Sequence, residues 1–157
     1  MTSEKKQEYT RRITQANRSG LVLIKFEMLF DYFDDICRAF HENNQQAAAN
    51  GVHYADAVLK SFQETLDFKY EMSAQLFSLY DFHRRQLAKV LMRHSLEELE
   101  QSRNMLQQTY EVFKKAAKQD KSGPLMKNAQ QVYAGFTYGK NDLNESYDIG
   151  SSRGFLA

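Results

Sequence analysis

The chain is 157 residues long, 42% hydrophobic and 26% charged, with a formal net charge of +1. These values describe one globular domain with its own core and exclude a mostly disordered chain. They supply no basic face for nucleic acid, and no aliphatic run longer than Leu21–Ile24, where membrane insertion takes about 20 residues. The single cysteine, Cys37, excludes an internal disulfide and a cysteine-rich zinc site, and it fits a reducing cytosol. Met1–Lys6 leads into no apolar stretch, so no secretion signal is expected. Pro124 is the one proline, so the residues before it can be read for helices without a breaker.

Residues 1–16 are polar, with Tyr9 and Ile13 as apolar punctuation, and read as a mobile N-terminal arm. A first long helix is predicted to start after Asn17, a favourable N-cap, and to run to about Glu42. Its seam is Val22, Phe26, Leu29, Phe33, Ile36 and Phe40, at spacings of 4, 3, 4, 3 and 4. Leu21, Met28 and Tyr32 widen the apolar arc on one side, and Leu23, Phe30 and Cys37 on the other. That leaves Glu27, Asp31, Asp34, Asp35 and Arg38 as the polar face, and predicts a central helix with at least two partners.

Asn43-Asn44 marks a turn. The second long helix carries Ala48, Val52, Ala55, Leu59, Phe62 and Leu66, whose unbroken phase puts Gly51 inside it. Residues 67–70 read as a tight connection. The third, from about Tyr70 to Arg93, lines up Met72, Leu76, Leu79, His83, Leu87 and Val90. The fourth opens with Ser95-Leu96-Glu97-Glu98, a capping-box pattern, and its seam of Leu96, Leu99, Leu106, Tyr110, Phe113 and Ala117 is interrupted by Arg103. Gln119–Pro124 is a linker, Leu125 to Ala134 a short helix, and the remainder an irregular tail. The expected organisation is an arm over 1–16, a bundle over 17–118, and a linker, short helix and flexible tail over 119–157. Four such helices with short connections pack as an all-α, antiparallel up-and-down bundle.

Such a bundle can house a carboxylate-bridged metal centre, which requires inward Glu-x-x-His pairs. Arg38, Asn50, Tyr80 and Leu91 precede His41, His53, His83 and His94 by three positions, so no such pair exists and no metal or cofactor is expected. His83 reads as a core histidine with a hydrogen-bonding neighbour. Arg103 reads as paired with an acid, and Cys37 as a small filler without an activating base. The sequence has no phosphate-cradling glycine loop and no nucleophile elbow, so no enzymatic activity is expected. With 11 Phe and 9 Tyr, the chain carries more apolar surface than one seam per helix can hide, as a protein with helix-binding grooves would.

Four stretches in this order carry a resemblance. Ala16 to Glu27 is similar to a Thr-Ala-Ser-Pro-x-x-Leu-x-x-x-Leu-Tyr opening, and Thr65-Leu66-Asp67 to a Ser-Leu-Asp helix end. Leu79-Tyr80-Asp81-Phe82 with Arg85 and Leu87 is similar to Leu-Tyr-Asp-Tyr-x-x-Arg-x-Leu, and the polar arm comes before them all. Over residues 10–118 the chain resembles the FliS family of flagellar secretion chaperones. It departs from the family pattern at Lys25, Phe26 and Met28, in the connection between Leu66 and Met72, and in its longer tail.

The resemblance implies a cytosolic bundle that binds the disordered C-terminal segment of flagellin, prevents its polymerisation and keeps it competent for export. It implies a component of the export gate and a flagellin-linked regulator as further partners. It also implies client contacts at Leu21, Ile24 and Met28, and at Leu76, Phe77, Tyr80 and Leu87, with Ile13 covering the empty groove. The competing expectation is a homo-oligomeric helical-bundle adaptor or structural protein that buries the same seams against copies of itself.

Overall fold

In the computed structural model, which describes residues 1–126, five helices follow one another: α1 (Ser3–Gln15), α2 (Arg18–His41), α3 (Gln45–Glu64), α4 (Met72–Arg93) and α5 (Glu97–Ala117). Asn17 and Asn44 start α2 and α3 by accepting the backbone N–H groups of Gly20 (2.8 Å) and Ala47 (3.0 Å), each satisfying an orphan donor of the first turn. Asn43 turns the chain between them at φ 52°, a left-handed conformation that asparagine tolerates better than most residues. α4 ends on His94, also left-handed, whose ring stacks on Phe40 at 4.9 Å.

α2 packs on α3, α3 on α4, α4 on α5, and α5 closes the ring against α2. Neither α2 with α4 nor α3 with α5 is in direct helix-to-helix contact, so these pairs lie on the diagonals of a square four-helix bundle. The short connections reverse the chain at each step, giving the antiparallel architecture predicted. The α2 seam is buried from Phe26 through Ile36, and the core closes with Leu59, Leu87, Val90, Leu99 and Leu106. Phe26 is its aromatic hub: its ring lies 4.7 Å from Phe62, 5.8 Å from Phe113 and 5.9 Å from Tyr110. Lys25, on the flank of this arc, turns toward α3, donating to the Ser61 carbonyl at 3.4 Å and lying 5.5 Å from the Phe62 ring.

Four local expectations change. Residues 1–16, read as an arm, contain helix α1, which among the described helices packs only on α2. The capping box does not form, because Arg93 at the end of α4 draws the Glu98 carboxylate into an ion pair at 2.6 Å. Ser95 Oγ instead accepts the Glu97 N–H at 3.2 Å. Met72, placed on the α4 seam, is 64% exposed because the helix only begins there. His83 is fully buried as expected, but neither ring nitrogen has a hydrogen-bond partner. Leu125 and Met126 are in no helix, and the rest of the predicted short helix and tail lies outside the described residues.

Candidate helix-binding face

α1 and α2 meet through an apolar strip flanked by a row of charges. Tyr9, Ala16 and Ile24 are buried between them, with Met1, Ile13, Leu21 and Met28 packed around their edges. This cluster is separate from the main core and lies on the outward side of α2. Beside it, Glu27, Asp31 and Asp35 repeat every four residues and so stack along one face of α2.

Each acid in the row meets α1 or the residue leading into it. Asp35 pairs with the Met1 ammonium. Asp31 accepts from Lys5 Nζ at 2.7 Å and from the Tyr9 hydroxyl at 2.8 Å. Glu27 pairs with Arg12 at 2.6 Å while also accepting from Tyr110 at 3.2 Å. Burial, and then the bond to the Asp31 carboxylate, push the Tyr9 phenol well above its usual ionisation range. Its own bond to Asp31 likewise raises the Lys5 ammonium. α1 is therefore an amphipathic, basic-edged helix seated on an apolar, acid-edged face, joined to it only through Ala16 and Asn17.

Of the residues singled out from sequence, Ile13, Leu21, Ile24 and Met28 are thus brought together in one cluster. The other four lie on α4, diagonally across the bundle. Leu76 is half-buried against the core and Phe77 is 41% exposed. Tyr80 and Leu87, expected as contacts, are each 1% exposed and belong to the core: Tyr80 stacks on Phe62 at 5.0 Å, and its burial pushes the phenol to about 12. A partner can reach Tyr80 only if helices part. Leu87 retains one outward role, as part of the floor of a groove of about 640 Å3 between α3 and α4, with Val52, Ala88 and Leu91.

Sequence reasoning passed over the acid row, assigning Glu27, Asp31 and Asp35 only to the polar face of the helix. The available signal was the four-residue spacing of those acids opposite Lys5 and Arg12, seven apart on a segment read as an arm. It also passed over an exposed tip where α3 hands over to α4, formed by Phe68, Tyr70, Met72 and Phe77, in which Phe68 and Phe77 lie 6.0 Å apart. Arg103, as expected, pairs with Asp34, and it also donates to the Phe30 carbonyl at 3.2 Å. Burial pushes the Cys37 thiol up, away from the reactive thiolate. Among the described residues no group of His, Cys, Asp and Glu could hold a metal ion, and no helix is long and apolar enough to cross a membrane.

No curated protein matches the chain. The family model for Flagellar protein FliS matches residues 1–120, which takes in all five helices. With the match covering most of its length, the chain belongs to the FliS family of flagellar export chaperones.

Proposed function

We propose that this chaperone binds the C-terminal segment of flagellin as an amphipathic helix on the outward face of α2, where α1 now lies. The observation that carries the reading is α1 itself. A polar-backed helix with Tyr9 and Ile13 on its apolar side, followed by Ala16, already occupies Leu21, Ile24 and Met28, so the face has the shape and chemistry of a helix receptor. A client helix with basic residues flanking its apolar side satisfies the same acid row. Flagellin held in this way cannot polymerise and stays unfolded enough for flagellar type III export, in the cytosol and without any chemical step.

The α3–α4 groove, with Leu87 in its floor, and the tip around Leu76 and Phe77 are a second apolar region on the opposite side of the bundle. They suit a longer client that continues around the molecule, or a further partner such as an export-gate component or a flagellin-linked regulator. The exposed aromatic tip also favours a second reading, self-association of the bundle, because aromatics and methionine are the residues enriched at interface cores.

Calorimetry with a synthetic peptide of the flagellin C-terminal helical segment tests the proposal. Saturable one-to-one binding with a negative heat-capacity change and a gain in helical circular dichroism is the expected result. No heat and no helix at tens of micromolar, combined with a dimer in sedimentation, would replace it with self-association.

A further inference from the structure

Past α5 the chain turns back to the joint between α1 and α2. Asp120 accepts a hydrogen bond from the Ser19 hydroxyl, and it is braced by the Ser122 N–H at 2.9 Å and the Ser122 hydroxyl at 2.6 Å. The Ser122 carbonyl accepts from the Asn17 side-chain amide at 3.1 Å. The Leu125 N–H donates to the Ala16 carbonyl at 3.0 Å. Every one of these cross-connections lands on Ala16, Asn17 or Ser19, which lie more than 100 residues earlier in the chain.

The joint is where any swing of α1 must be taken up. Ala16 (φ −81°, ψ 142°) and Asn17 (φ −79°, ψ −178°) are the only non-helical residues between α1 and α2. Turning α1 away from α2 rotates these torsions and reorients the Ala16 carbonyl and the Asn17 side chain. Both are held from outside, the first by Leu125 and the second by Ser122. Asn17 is held twice, since its Oδ1 caps α2 while its Nδ2 donates to Ser122. Among the described helices α1 contacts only α2, so the joint, the apolar strip and the acid row are its attachments.

We propose that residues 119–125 form a strap that locks the α1–α2 joint, so that α1 leaves α2 only when the strap is released. The strap controls access to the face assigned to the client above and rests on that reading for its consequence, though not for its existence. Ser122 and Leu125 lie just past the residues that the family model matches. Leu125 and Met126, 54% and 46% exposed, leave the far end of the strap open to whatever would pull it away.

Hydrogen exchange of the full chain, free of client, reads the strap directly. Asp120→Ala removes the acceptor of Ser19 and Ser122, and Leu125→Pro removes the N–H given to Ala16. Each should speed exchange across residues 9–15 of α1 by roughly tenfold, as expected for loss of one or two hydrogen bonds, while α3 and α4 keep their rates. Unchanged α1 exchange in both variants overturns the proposal. Faster exchange throughout the bundle in both overturns it too, since the segment would then be a general support. Titrating the same variants with the flagellin peptide separates the two readings. Tighter binding together with faster α1 exchange links the strap to client access. Faster α1 exchange with unaltered affinity keeps the strap and removes the α2 face from the client reading.

Discussion

Gly51 of α3 approaches Ile36 of α2 so closely that a methyl group added at Gly51 would lie 2.7 Å from Ile36 Cγ1. The two helices pack at this point because one of them has no side chain. Gly51→Ala gains about 1 kcal/mol of helix propensity, but it drives a methyl into a side chain that is fully buried and has no room to yield. The expected outcome is a net loss of about 1–2 kcal/mol in denaturant unfolding. Ile36→Ala removes the clashing atom, so the double variant should lose less than the sum of the two single ones. Strict additivity would mean that the helices move apart at no cost.

His83 sets an acid limit on the fold. Burial holds the ring neutral down to about 4, against an ordinary value of 6.5. Between those values the unfolded chain binds the proton and the folded chain does not, so stability falls as pH is lowered through that window and is complete above it. The loss expected from this one group is on the order of 3 kcal/mol. His83→Leu should flatten the acid limb of the stability profile and, by removing two unpartnered ring nitrogens, leave the protein no weaker at neutral pH. An acid limb of undiminished slope in that variant would assign the loss to the carboxylates.

Arg84 ties α4 to α3 through a two-pronged contact with Asp56, at 2.7 and 3.1 Å, and a third bond to Gln63 at 3.1 Å. The pair is about one-third exposed, so water screens it, and Arg84→Ala should cost about 1 kcal/mol. Thermal unfolding should then shift down by about 2–4 °C. Arg84→Lys keeps the charge but not the fork and should recover less than half of that shift.

Asp31 holds two groups of α1, the Lys5 ammonium and the Tyr9 hydroxyl. Asp31→Ala should loosen α1 by about 1 kcal/mol, and trypsin should cut at Arg11 and Arg12 roughly fivefold faster, with the bundle itself still resistant. Added salt should have the same effect on the native chain, since the row is partly exposed. Cleavage indifferent to both changes would show that the apolar strip alone retains α1.

The bundle was legible in sequence because its signals are local and redundant. The seam from Val22 to Phe40, the cap at Asn17 and the turn at Asn43-Asn44 are each readable without reference to the rest of the chain. α1 was hidden because its large apolar side chains are only Tyr9 and Ile13, too sparse to mark a helix until the α2 face supplies the other half. The capping box failed for the complementary reason. Arg93 lies five residues from Glu98, and only the tertiary turn brings their side chains within 2.6 Å. Tyr80 and Leu87 were drawn toward the client site by a sequence motif, which marks a residue without saying which way it faces.

The division of α2 into two separately packed faces bears on how such a protein can change over time. Phe26, Leu29, Phe33 and Ile36 answer to the fold, while Leu21, Ile24 and Met28 answer to whatever helix lies outside. Substitutions on the outer face leave the inner layer untouched, so a receptor surface can track a drifting ligand sequence without putting foldability at risk. The tethered α1 would have to drift with it. A covariation between α1 and the outer face of α2, stronger than either shows with the core, is the evolutionary trace this architecture should leave.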